Sequence, residues 1–185
     1  MLQADLNNTE IGIPEHMQKY VSWGNLHESS GIAKWILINK KYPEEMLENQ
    51  QNYIVQDFLN LGGDTVVDLS CTPDARVNNI LLEIKCGNLG KKPHDFAKAK
   101  VYLAQVSLQQ YILNCLGVQI DKTHLVSWSM NGTRIWEIQR NVDFEHYLLS
   151  LLEEYSLALL GKGQLKDKPE SFKGEHKIKL IYGEE

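Results

Sequence analysis

The run Ile80-Leu81-Leu82-Glu83-Ile84-Lys85-Cys86 constrains this chain more than any other stretch. Its apolar residues Ile80, Leu81, Leu82 and Ile84 read as a strand buried on at least one side, yet two charges are threaded between them. Successive side chains of a strand point to opposite faces, so Glu83 and Lys85 share one face while Leu82 and Ile84 enter the layer on the other. Charges in such a strand require partners or a metal, because an unpaired buried charge is strongly unfavourable. Just upstream, Thr72-Pro73-Asp74 reads as a turn carrying an acid, nine residues before Glu83. A hairpin over that distance brings Asp74 back beside Glu83. The expectation is two carboxylates and one ammonium on a single sheet face. Hard oxygen anions suit Mg²⁺ or Mn²⁺, and a lysine beside them can hold or deprotonate a water. The competing reading is an exposed strand with ordinary acid–base alternation; the apolar context weighs against it.

At 185 residues the chain is expected to be one domain with a core of its own, spanning residues 15–161, with a lead-in at 1–14 and a polar tail at 162–185. A hydrophobic share of 43% with 23% charged residues is that of a globular protein, and no apolar run reaches membrane-spanning length. The start, Met1-Leu2-Gln3-Ala4-Asp5, lacks a secretory pattern, so an intracellular location, cytoplasmic or nuclear, is expected. Cys71, Cys86 and Cys115 are odd in number and widely spaced. They propose neither a zinc site nor a disulfide framework, and their number argues against a four-cysteine iron–sulfur cluster. The net charge of −5 argues against nucleic acid as a partner at first sight, since phosphate contacts require cations. Local distribution matters more than the total, because a basic groove can sit on an acidic protein.

Helical spacing runs from Glu15 to Lys40 through Met17, Tyr20, Val21, Ile32, Trp35, Ile36 and Leu37, with a break predicted at Trp23-Gly24. Glu28 then falls near the start of a second helical piece, where a first-turn acid favoured by the helix dipole is one account of it; its place on the face of Ile32 and Trp35, next to the core, weighs toward a role in the site. His27 reads as a groove-edge histidine outside the site. Asn52–Leu59 fits a strand or a helix end, and Val66, Val67 and Leu69 fit a strand leading to Cys71. Asp68 competes with Asp74 for the acidic role but is expected to support the sheet edge. After Cys86, Gly87 to His94 forms a loop in which Lys91 and Lys92 stand together, with Lys98 and Lys100 following. A phosphate backbone crossing the strand end would meet Lys91, Lys92 and Lys98; a solvated loop accounts for them equally well.

The best helix is Phe96–Leu116, ended by Gly117. It carries Gln105, Gln109 and Gln110, of which Gln109 shares the face of Gln105 and Gln110 is expected to face solvent. Thr123–Met130 and Thr133–Gln139 are two strands joined at Asn131-Gly132. His124, Trp128 and Trp136 are read as packing residues on them. Val142–Leu160 is a last amphipathic helix, and the alternation of Ile178–Tyr182 suits an edge strand or a contact with another subunit, as in a homo-oligomer. The order of elements gives an α/β fold, a small mixed β-sheet flanked by helices.

In the pattern Pro73-Asp74 … Glu83-Ile84-Lys85 the chain resembles the PD-(D/E)XK nuclease superfamily, whose core is restriction-endonuclease-like. It is most similar to the YqaJ-like, lambda-exonuclease-type viral recombinase nucleases. The motifs Trp23-Gly24-Asn25-Leu26-His27-Glu28, Thr72-Pro73-Asp74, Glu83-Ile84-Lys85-Cys86 and Tyr102-Leu103-Ala104-Gln105 stand in the order of that family, over roughly Tyr20 to Arg140. The resemblance implies a Mg²⁺-dependent deoxyribonuclease acting in recombination or repair, with Mn²⁺ as a substitute. Its substrate would be DNA, double-stranded or with a free end, cut from an end rather than at a specific sequence. It implies metal held by Asp74, Glu83 and the Ile84 carbonyl, with Glu28 bearing on a second metal position. Lys85 would orient the attacking water and Gln105 would brace the site. Family members also carry an arginine ahead of Trp-Gly for the 5′ phosphate; here the first arginine is Arg76, so end recognition is not covered. The same residues serve a nicking or structure-specific endonuclease, and a metal-free DNA-binding relative would keep only the fold.

Overall fold

The computed structural model describes residues 14–40, 51–62, 65–87, 91–165 and 171–183. Among these, strand-forming runs assemble two separate sheets. β1 (Tyr53–Asn60) and β2 (Val66–Cys71) pair only with each other, antiparallel. A five-stranded mixed sheet follows the order β3 (Ala75–Val77), β4 (Ile80–Cys86), β5 (Lys122–Ser129), β6 (Gly132–Gln139) and β7 (Ile178–Gly183). Its single parallel pairing is β4 with β5; β3–β4, β5–β6 and β6–β7 are antiparallel. A parallel neighbour requires a crossover, supplied here by the helices α2 (Phe96–Val101) and α3 (Leu103–Cys115) between the two strands.

The expected α/β architecture is present, with a helical layer on each face. α1 (Glu15–Asn39) covers one face, where Ile32 and Trp35 pack with Ile80, Leu82, Ile84, Val126 and Ile135. The opposite face takes α3 and α4 (Val142–Leu159): Leu103, Val106, Phe144 and Leu148 pack against Leu125, Trp136 and Ile138. Leu81 joins Ile112 and Leu113 on that side. Alternation therefore sends Leu82 and Ile84 toward α1, and Leu81, Glu83 and Lys85 toward α3.

Several expectations change. α1 runs unbroken through Trp23-Gly24, so Glu28 sits in mid-helix rather than near a helix start. Packing outweighs the glycine: the Trp23 indole donates to Gly87 O at 3.1 Å, fixing α1 over the end of β4. Gly31 lets the helix approach closely, since a Cβ there would lie 2.5 Å from Ile84 Cγ2. The run Phe96–Leu116 is two helices, divided at Tyr102. Asp95 caps the first by accepting from Lys98 N. Val101 and Leu116 are exposed rather than part of an apolar stripe. α3 ends in a Schellman arrangement, Gly117 at φ 78° with Val118 N on Leu113 O and Gly117 N on Asn114 O. Gln110 is not solvent-facing but 0% exposed, donating to Thr123 Oγ1 at 2.9 Å.

Asp68 supports an edge, as expected. It accepts from Asp57 N at 2.9 Å where the β1–β2 register shifts and Asp57 adopts φ 51°. The turn between β5 and β6 falls on Met130-Asn131, with Gly132 already paired to Ser129. The tail is not peripheral: β7 extends the sheet, and Phe172 packs with its ring centroid 4.9 Å from that of Phe144. His124 is buried as a packing residue and also bonded, its Nδ1 accepting from Trp35 Nε1 at 2.9 Å and its Nε2 lying 3.3 Å from Glu137 Oε2. No helix of the described residues is long and apolar enough to cross a membrane.

Candidate functional site

The site begins where a ladder stops. β3 pairs with β4 only as far as Ala75 opposite Leu82. Beyond that point the edge of β4 has no strand partner among the described residues, and the backbone N–H of Ile84 donates to Asp74 Oδ2 at 2.6 Å instead. The hairpin turn, with Asn78 at φ 54°, thus returns Asp74 to the level of Glu83, as its spacing predicts.

Glu83 is 1% exposed. A carboxylate this deeply buried must be compensated, and three donors converge on it. Lys85 Nζ lies 2.5 Å and Gln105 Nε2 2.6 Å from its Oε1, and Gln109 Nε2 lies 2.9 Å from its Oε2. Strand alternation supplies the lysine; the i, i+4 spacing on α3 supplies both amides from one helix face. Tyr102, at the division between α2 and α3, places its ring 4.9 Å from Lys85 Nζ and adds a cation–π contact. Gln109 is the member of this set that the family motif does not contain, and its position one turn after Gln105 is the signal that finds it.

Electrostatics follow from burial and crowding. Burial first, then the neighbouring Glu83 charge, push Asp74 up to about 7, with Glu28 adding to the rise. Burial lowers the Lys85 ammonium, but the Glu83 charge and hydrogen bond, with Asp74 and Tyr102, more than reverse this, so Lys85 stays charged with its pKa above the ordinary lysine value. Cys86 is pushed up to about 11 by burial, then by Glu28 and Asp74; Cys71 rises to about 12 by burial and Glu83. Both are inert thiols at neutral pH. Glu28 thus comes within electrostatic reach of Asp74 and Cys86 from mid-α1.

Among the described residues no group of three or more His, Cys, Asp or Glu side chains converges to hold a metal. Asp74 and Glu83 form a pair, and the donor set nonetheless suits a hard divalent cation. Burial first, and then the Glu83 charge, raise Asp74 to about 7, and Glu83 has about one acceptor position left after its three donors.

Lys91, Lys92 and Lys98 lie beside this centre, not in it. With Tyr20, Trp23 and Cys86 they line a recess of about 180 Å³ at the end of β4. His94, in the same wall, is held below the usual histidine range by burial and by Lys98, Lys85 and Lys91, against the opposing charge of Asp95. His27 stays outside the charged centre, stacked on Trp128 with centroids 5.5 Å apart and tilted at 42° against Trp23 at 4.0 Å.

No family model and no curated protein matches the chain. Among solved structures it is similar to a protein described as SSO0001, at 18% identity with a TM-score of 0.50. The likeness covers 85% of this chain but 65% of that one, and at this identity it concerns the fold alone.

Proposed function

We propose that the chain is a divalent-metal-dependent deoxyribonuclease of the PD-(D/E)XK kind, cutting DNA phosphodiester bonds from a free end. One observation carries the reading: Asp74, Glu83, Lys85 and Gln105, the residues of the resembled motifs, converge on one strand end, with Glu83 fully buried and triply hydrogen-bonded. Structural ion pairs perturb pKa values as well; what favours a functional centre is that the residues brought together are those of the resembled motifs, in their order.

Asp74, Glu83 and the Ile84 carbonyl would hold Mg²⁺, with Glu28 bearing on a second position through its charge. The ion, when bound, offsets negative charge that builds on the phosphate oxygens. The chain's own groups do the rest. Gln105 and Gln109 fix Glu83 by donating to its two different oxygens, Oε1 and Oε2. Lys85, charged and steadied by Tyr102, donates hydrogen bonds to a water and to the phosphate. Asp74, raised to about 7 by burial and then by Glu83, would have to release its proton to solvent to serve as a ligand. Lys91, Lys92 and Lys98 meet the phosphates that flank the cut. The decisive assay compares end-labelled linear DNA with closed circular DNA, with and without Mg²⁺. Shortening of the linear substrate alone supports this reading; Mg²⁺-dependent opening of the circle assigns the site to an endonuclease, and no cleavage of either rejects it.

A further inference from the structure

The recess at the end of β4 has an aromatic side as well as a basic one. α1 contributes Tyr20 and Trp23, and the segment that enters α2 contributes Lys91, Lys92 and Lys98. Cys86 joins them, so the recess begins one residue along β4 from Lys85. The hydrogen bond to Gly87 O fixes the Trp23 indole. Tyr20, three residues earlier on the same helix face, is 43% exposed. Two ammonium groups lie over its ring, Lys19 Nζ at 5.1 Å and Lys91 Nζ at 6.0 Å from the centroid.

Size and composition narrow the ligand. About 180 Å³ is well below the roughly 300–1,000 Å³ of sites that enclose a small molecule, so a ligand here lies along a surface. Among the described residues no Asp or Glu lines the recess, and a polyanion meets only cations on entering it. No Asn or Gln lines it either, the side chains that read the edge of adenine. What the recess offers is ammonium groups for phosphates and an exposed π face for a ring. That combination holds single-stranded nucleic acid without regard to sequence, because every base has a π face. Inside a duplex those faces are covered by the neighbouring base pairs, so the tyrosine can take only a base that has left the stack.

We infer that the recess receives an unpaired nucleotide of the strand being cut, its base stacked on Tyr20 and its flanking phosphates on Lys91, Lys92 and Lys98. The inference rests on the nuclease reading and names the form of DNA that the site takes. In the free protein Lys19 and Lys91 rest over the Tyr20 ring. When the strand binds, they exchange the ring for phosphate oxygens and uncover it for the base. An acidic peptide would meet the same lysines but brings no base to stack, and the test separates the two.

Binding is read apart from cleavage. A short fluorescein-labelled DNA strand, alone or annealed to its complement, is titrated by anisotropy with Ca²⁺ in place of Mg²⁺, and the strand is checked afterwards to be intact. Single strand should bind more tightly than duplex, and poly-glutamate should displace it poorly. Tyr20→Ala should weaken single-strand binding about five- to 150-fold, the range of base stacking on an aromatic side chain, and duplex binding much less. Tyr20→Trp keeps a π face and should bind single strand as the wild type does, its added fluorescence being quenched by the DNA. Should Tyr20→Ala unfold, Tyr20→Leu keeps bulk and helix preference without a π face and gives the same comparison. Unchanged single-strand affinity in these variants, an equal loss for duplex, or displacement by poly-glutamate as readily as by unlabelled strand overturns the stacking site. Each of those results leaves the nuclease reading to its own cleavage assay; binding of neither DNA overturns both.

Discussion

Asp74→Asn should make the metal-free protein more stable, by an amount that grows with pH. In the folded chain the Asp74 carboxyl is raised from 3.8 to about 7, chiefly by burial and then by Glu83. An acid raised on folding keeps its proton to higher pH in the folded than in the unfolded state. Its contribution is therefore most favourable below about pH 4, declines as pH climbs toward about 7, and is flat above that. At about 1.4 kcal/mol for each tenfold change in proton affinity, the full penalty is about 4 kcal/mol. Roughly 2 to 3 kcal/mol of it develops between about pH 5 and pH 8. Asparagine cannot ionise and keeps the acceptor for Ile84 N, so the variant escapes the penalty without losing the strand-end hydrogen bond. Urea unfolding of both proteins in EDTA at those two pH values gives the comparison. The stability difference should widen in favour of Asp74→Asn by about 2 kcal/mol or more at the higher pH. Adding Mn²⁺ should narrow or reverse the difference, since the variant keeps Glu83 but lacks the second carboxylate. A difference that does not change with pH refutes the argument, because the penalty would then not come from an ionised Asp74 beside Glu83.

Other outcomes follow from the same geometry. Lys85→Met keeps the aliphatic stem but removes the charge, and single-turnover cleavage should fall by about 10²- to 10⁴-fold with the metal still bound. Gly31→Ala places a methyl against Ile84 Cγ2 and should lower stability by about 1–3 kcal/mol in thermal or urea unfolding, α1 having to lift from β4. Replacing Lys91 and Lys92 together with Gln should weaken DNA binding and reduce the steepness of its salt dependence, measured as log affinity against log salt.

The acid pair and its lysine were legible because strand alternation and hairpin return are local rules: Asp74, Glu83 and Lys85 stand where spacing alone puts them. Gln105 and Gln109 were legible from the helix period. Gln110 was not, because α3 has more than one buried side, and the partner that accepts its amide, Thr123, comes from a strand that no helical spacing reveals. The break at Tyr102 carries no Gly or Pro to announce it. Conversely, Gly24 suggested a break that α1 does not make, since the Trp23 hydrogen bond and the packing of Gly31 are tertiary and outweigh a weak local preference. A cavity lined by Leu69, Leu108, Ile112 and Leu152 was invisible for the same reason: its walls come from three elements distant in sequence.

The lone parallel pairing in the sheet has a consequence for synthesis. Every side chain of the proposed centre, from Glu28 to Gln109, precedes β5 in the chain. Yet β4 gains its second edge only when β5 pairs beside it, after the crossover that carries Gln105 and Gln109 over Glu83. Such non-local pairing is slow relative to helix and hairpin formation. A nascent chain that has already exposed these acids, amides and lysine outside the ribosome therefore holds them on a β3–β4 hairpin with one edge of β4 still unpaired, and the buried setting of Glu83 is completed only after residues 122–129 have emerged.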